Sequence, residues 1–159
     1  MTPIYSRSLV GERAFGKAPK NQGKNLTVVG AIALDGIRAM MAYEGGTTNE
    51  AFLYFVRHAL VPSLRRGDVV VWDNLKAHYF KDVSEAIEAA GAHIVFLPPY
   101  SPELNPIEHT WSKLKGLLRR EEARTLQTLA LALERSSTEI TCDDLIGWFT
   151  NCGYEAQGN

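Results

Sequence analysis

Two short apolar runs flank a stretch of helical length, and a proline-studded segment follows them. Val69 to Trp72 is an unbroken run of β-branched and aromatic residues, the composition of a strand buried on both faces. Asp73 stands at its C-terminal end. Lys81 to Gly91 then reads as a helix, with Val83, Ala86, Ile87 and Ala90 at i, i+3, i+4 and i+7 and Gly91 as its stop. Ala92 to Leu97 is a second apolar run. Strand, helix and strand of these lengths make a βαβ unit, which predicts parallel strands and a right-handed crossover.

That unit fixes where the polar residues emerge. Parallel strands end at the same edge, so Asp73 and the chain following Leu97 leave the sheet together. Pro98, Pro99 and Pro102 stiffen the exit and forbid helix until Asn105, which is a good N-cap, with Pro106 at N1 and Glu108 at N3. Ile107, Trp111, Leu114 and Leu118 form one face of the helix that follows, and Glu108 lies about 100° round from Ile107. Two carboxylates, one from a strand end and one from a helix start, thus face one crevice, the usual ligand site of an open α/β sheet. Each also has an ordinary structural reading: Asp73 as a turn former, and Glu108 as the partner of Asn105 in a helix cap.

The rest of the chain supplies a frame for this unit. Leu26 to Leu34 and Ile37 to Tyr43 are β-rich runs separated by Asp35-Gly36, which predicts a hairpin with a type I′ turn and makes Asp35 a tip residue. Thr47 and Glu50 have the spacing of a capping box opening a helix that buries Phe52, Phe55, Val56, Ala59 and Leu60, and Pro62 and Gly67 mark its exit. The Glu108 helix runs to about Arg120. Thr125 caps another, with Leu126, Leu129, Ala130 and Leu133 inward; Thr141 and Asp144 open a last one, which buries Leu145, Trp148 and Phe149 and stops at Gly153.

Of the 159 residues, 45% are hydrophobic, enough for one domain with a sizeable core. No apolar run approaches membrane-spanning length and the first residues have no signal-like apolar region, so the expectation is a cytoplasmic protein without a membrane partner. Cys142 and Cys152 lack metal-type spacing and read as free thiols; His58, His78, His93 and His109 are scattered. The net charge of −1 conceals two basic stretches. Residues 1–24, an irregular segment rich in Gly and Pro, carry five Lys/Arg against Glu12, and residues 113–124 carry Lys113, Lys115, Arg119, Arg120 and Arg124 against Glu121 and Glu122. Basic stretches beside an acidic site suit a protein holding phosphate backbone next to a divalent cation; the alternative is a solvated helix face.

Asp73-Asn74 with His78 four residues on, followed by Pro-Pro-Tyr-Ser-Pro-Glu-Leu-Asn-Pro-Ile-Glu ending at Glu108, resembles the catalytic domain of mariner-like insertion-sequence transposases. These are DDE enzymes with a ribonuclease H-like fold. Thirty-four residues separate Asp73 from Glu108, the spacing of that group's second and third catalytic carboxylates. The resemblance runs from about Ser8 to Tyr154.

The resemblance implies an α/β, ribonuclease H-like mixed sheet with flanking helices over residues 25–154. It implies Asp73 and Glu108 as catalytic metal ligands for two Mg²⁺ (or Mn²⁺) ions. Asn74, His78 and Asn105 would lie near substrate, and Lys113, Lys115, Arg119 and Arg120 would grip phosphates. The partner is DNA at transposon ends, and the reaction is phosphodiester cleavage and strand transfer. In that family the first strand bears the first catalytic Asp and precedes the segment resembling Ser8 to Lys24. The expectation is therefore a partial catalytic domain lacking its first strand, the third acid and the upstream DNA-binding region, completed by an upstream transposase segment or by a homo-oligomer. Val69 to Trp72 would then have an unpaired edge. The alternative is a catalytically inactive DNA-binding or transposase-associating remnant. A phospho-accepting Asp73 in a receiver-like domain is disfavoured, because such sites need further acids at an earlier strand end.

Overall fold

The structure, a computed structural model, describes residues 9–12, 26–73, 80–121 and 125–155, apart from the side chains of Phe80 and Leu126. The basic segment expected over residues 1–24 lies almost wholly outside them. Strands β1 (Leu26–Ala33) and β2 (Gly36–Glu44) form an antiparallel hairpin. The two residues between them, Leu34 and Asp35, both have negative φ, whereas Gly36 has φ +149°. The turn is therefore not the predicted type I′, which needs positive φ at both central residues. The register slips between Ala31 and Ile32, and this irregularity lets Gly36 pair with Ala33 as the first residue of β2. Asp35 is a tip residue as expected. Its carboxylate accepts from Arg38 at 2.8 Å and lies 3.5 Å from Arg65.

Helix α1 (Asn49–Phe55) starts one residue later than its capping pattern suggested. Thr48, not Thr47, is the N-cap, and its side-chain oxygen accepts from the Ala51 N–H at 3.2 Å. The helix widens into a π-helical segment, Val56–Leu60, and tightens into a 3₁₀ turn, Val61–Ser63, at Pro62. Phe55, Val56 and Leu60 are fully buried, so the change of pitch keeps one continuous apolar face against the sheets.

Strand β3 (Val69–Trp72), helix α2 (Phe80–Ala89) and strand β4 (His93–Phe96) form the predicted βαβ unit with parallel strands. Gly91 takes φ +80°, which only glycine adopts cheaply, and its carbonyl accepts from Gly67 N–H at 2.8 Å. This locks the start of β4 against the start of β3. Along β3, Val70 and Trp72 face a core with Ile94 of β4, Val83 and Ile87 of α2, and Phe52, Phe55 and Val56 of α1 and its π segment. Trp72 meets Phe52 edge-on at 5.1 Å.

β3 is not buried on both faces. Val69 is 57% exposed and its face-mate Val95 on β4 is 49% exposed, because among the described residues nothing covers that side. The same core takes in Val29, Ala31, Ala39 and Met41 of the hairpin, yet the strands form two separate two-stranded sheets among the described residues. Among the described residues β3 pairs with β4 alone.

The hairpin's other face packs against α3 (Ile107–Arg120) and α4 (Leu126–Thr138), where Leu114, Leu118, Ala132 and Leu133 form a second core with Val28, Met40 and Ala42. Gly30 of β1 gives this contact its close approach: a Cβ there would lie 3.0 Å from Trp111 Cη2 and 3.3 Å from the Ala39 carbonyl. On α4, Thr125 caps as expected, in a capping box with Thr128. Its buried face, however, runs through Ala132, Leu133 and Ser136, and leaves Ala130 exposed. Helix α5 (Cys142–Asn151) opens on the predicted Thr141/Asp144 box and ends before Gly153, at φ +86°. Cys142 and Cys152 are both free thiols.

Candidate active site

Asp73 is the first residue beyond β3 and is exposed. The parallel ladder continues one step past the paired strands, with Leu97 N–H donating to the Trp72 carbonyl at 2.9 Å. Asp73 and Leu97 thus leave the sheet side by side, at the edge predicted from the order of elements. From Leu97 the chain runs through Pro98, Pro99 and a 3₁₀ turn, Pro102–Leu104, into α3.

Asn105 is half-buried and extended (φ −108°, ψ 100°), and its carbonyl, not its side chain, receives the Glu108 N–H at 3.1 Å. Pro106 is the residue at the cap, and no side-chain cap bond is made. The predicted Asn105 cap thus acts through backbone, and Glu108 is the second helical residue. Its exposed carboxylate sits in the first turn, where the helix dipole favours negative charge. Asn74 and His78 lie outside the described residues.

The start of α3 is braced by α5, a contact the sequence did not reveal. The His109 ring stacks on Trp148 at 6.2 Å and 18°, and Asn151 Nδ2 lies 3.3 Å from His109 Nε2. Tyr154 donates its hydroxyl to the Leu104 carbonyl at 2.9 Å, with its ring edge-on to Phe149. Lys113 donates to Asp144. These contacts fall on both sides of Glu108 in sequence, so the backbone carrying that carboxylate is tied to Tyr154 before it and to α5 after it. Asp144, Trp148 and Asn151 recur at helical spacing along one face of α5. That recurrence was the available signal, but the aromatic residues read equally well as ordinary core.

Asp144 has two roles. Besides holding Lys113, it accepts from the Thr141 N–H at 2.9 Å and from the Thr141 hydroxyl. The Lys113 hydrogen bond, and next the Thr141 backbone bond, hold its carboxyl at about 2, below the ordinary 3.8. Lys113, expected to contact phosphate, is therefore already paired. Lys115 and Arg120 are exposed and Arg119 half-buried; both arginines lie in the last turn of α3, where cations also suit the helix dipole.

Among the described residues, no group of three or more His, Cys, Asp or Glu side chains is placed to hold a metal ion. The donor type nevertheless fits one. Asp73 and Glu108 offer hard carboxylate oxygens open to solvent, the ligands that Mg²⁺ or Mn²⁺ accept while keeping waters and substrate oxygens in their other positions.

A sequence model of the DDE superfamily endonucleases matches residues 1–130, more than four-fifths of the chain. The chain belongs to the DDE superfamily endonuclease family. Endonucleases of this superfamily generally work with divalent metal ions. The domain is also similar to a protein in a crystal structure of the Mos1 strand transfer complex, with a TM-score of 0.66 over 93% of its length and 16% sequence identity. It covers 45% of that protein's chain. The likeness shows the fold, the ribonuclease H-like arrangement that the sequence resemblance implied. No curated protein matches the chain in sequence. Helix α5 and the Tyr154 contact lie beyond the residues that the family model matches. No helix among the described residues is long and apolar enough to cross a membrane.

Proposed function

We propose that this DDE endonuclease domain contributes Asp73 and Glu108 to the metal-dependent centre of a DNA transposase, which cleaves phosphodiester bonds at transposon ends and joins them to new DNA. The observation that carries this reading is the parallel β3–β4 pair, closed by the Leu97–Trp72 bond. It sets Asp73 beside the start of the proline-rich segment leading to Glu108. Family membership and the fold's likeness to a protein of the Mos1 strand transfer complex support it.

Asp73 and Glu108 would hold the divalent ions, two Mg²⁺ or Mn²⁺ in this reading. Divalent ions at such a site supply Lewis-acid activation of an oxygen nucleophile and charge stabilisation of the leaving oxygen. The chain's own residues hold and orient. Asp73 provides negative charge at the end of β3 and Glu108 at the start of α3, and Asn105 shapes the approach to Glu108. Asn74 and His78, which follow Asp73 in sequence, are assigned to the substrate's vicinity. Lys115, Arg119 and Arg120 position phosphate without reading sequence, and Lys113 contributes less because Asp144 already holds it.

A third acid is required, since two carboxylates are too few ligands to organise two ions. We assign it to a strand seated between the hairpin and β3, supplied by a separate segment or a second copy. The two sheets share a core there without ladder bonds between them among the described residues.

The test is strand cleavage of a labelled terminal-repeat duplex in Mn²⁺, with and without a supplied acid-bearing segment. The expected result is cleavage that depends on that segment and is abolished by Asp73→Asn, which keeps the side chain's size and removes its charge. Cleavage indifferent to Asp73→Asn would refute the assigned site. Cleavage by the unaided chain would refute the need for a third acid from elsewhere.

A further inference from the structure

Tyr100 combines two unfavourable features that folding does not explain. Its φ is +58°, the one positive value at a non-glycine residue among those described. In that region the Cβ crowds the following carbonyl, so a bulky aromatic residue is an outlier there. Its side chain is also 99% exposed. The conformation therefore gains no burial, and among the described residues no ring contact or side-chain hydrogen bond of Tyr100 offsets the strain.

The surrounding segment holds the ring outward. Pro98, Pro99 and Pro102 fix φ on both sides, Ser101 Oγ donates to the Pro99 carbonyl at 3.4 Å, and the 3₁₀ turn beyond is anchored by the Tyr154–Leu104 bond. In sequence, Tyr100 stands between Leu97, paired beside Asp73, and Glu108. A strained, solvent-facing aromatic between two candidate metal ligands matches the pattern in which backbone strain is retained at ligand-contacting sites.

We infer that Tyr100 is a stacking platform for one unpaired or extruded nucleobase of the DNA strand next to the scissile phosphate. The inference rests on the DNA-cleaving reading above. An exposed phenol ring presents a flat apolar face, which every base matches in the same way, and such stacking tolerates any sequence. The left-handed backbone turns the ring away from the fold, and the prolines remove the flexibility that would otherwise be lost on binding.

The experiment uses the full chain with a short duplex carrying 2-aminopurine in a single-stranded 3′ overhang, read by fluorescence quenching and by anisotropy. We expect the wild-type chain and Tyr100→Phe to quench the probe alike. Tyr100→Ala should lose the quenching and weaken binding about tenfold, the scale of one base–aromatic stack. Tyr100→Gly, which accepts the backbone without strain, should lose binding equally while melting no lower than wild type. A structural role would instead lower stability and binding together in both variants. Unchanged quenching and affinity in Tyr100→Ala overturns this inference and leaves the DNA reading standing. Absence of DNA binding by the wild-type chain overturns both. Unimpaired DNA binding alongside loss of association between chains in Tyr100→Ala would identify Tyr100 as a protein contact and overturn the inference.

Discussion

Replacing Asp144 isolates the bond that ties α5 to the helix carrying Glu108. In Asp144→Ala the Thr141 N–H and hydroxyl lose their acceptor, and Lys113 is left half-buried without its counter-charge. Loss of a cap costs about 1 kcal/mol. The carboxyl's displacement from 3.8 to about 2 corresponds to about 2.4 kcal/mol at full linkage. Both side chains see solvent, at 31% and 25% exposure, so screening reduces the ion-pair part to about 1 kcal/mol. The total for Asp144→Ala is about 2 kcal/mol, a fall in Tm of about 4–8 °C for a domain of this size. Asp144→Asn keeps an acceptor for Thr141 and should lose about 1 kcal/mol.

The sign of the pH dependence follows from a depressed folded-state pKa. The stabilisation is complete above the ordinary carboxyl range and is lost as pH falls from about 4 towards about 2. Urea unfolding of the wild type and of Asp144→Asn, followed from pH 7 to pH 2.5, should give curves about 1 kcal/mol apart at neutral pH that converge at the acid end. Parallel curves, or an Asp144→Ala variant as stable as wild type, would refute the pairing and the brace derived from it.

Gly30→Ala should cost about 1–3 kcal/mol, because the new methyl meets the Trp111 indole and the Ala39 carbonyl; an unchanged Tm would show that the α3–hairpin contact yields freely. Weak Mn²⁺ binding, seen by calorimetry or paramagnetic broadening, should vanish in the Asp73→Ala, Glu108→Ala double variant, and equal binding by that variant would sink the assignment. The uncovered face with Val69 and Val95 should bind a hydrophobic dye, and Val95→Thr should reduce the signal; a chain that excludes the dye would mean that the face is covered in solution.

The βαβ unit was legible from sequence because its signals are local. A run of three valines and a tryptophan has few alternatives to strand, Val83 and Ile87 repeat at helical spacing, and Gly91 supplies the φ that only glycine takes cheaply. The positions of Asp73 after β3 and of Glu108 at the start of α3 followed from that unit and from the proline-rich motif. The Thr125 and Thr141 caps were equally local, since a capping box closes within four residues.

Other features depended on what lies opposite in space. A continuous apolar run cannot say whether each face is covered, so Val69 to Trp72 read as buried on both sides although Val69 and Val95 face outward. Asp-Gly names a turn but not its register, which the slip at Ala31 and Ile32 decides through pairing across the hairpin. Lys113 looked like a free cation because Asp144, thirty-one residues away, is brought to it only when α5 packs on α3. The setting of Tyr100 was half legible: the prolines on either side are local, but the Tyr154–Leu104 bond that anchors the following turn forms only when the C-terminal residues pack against it.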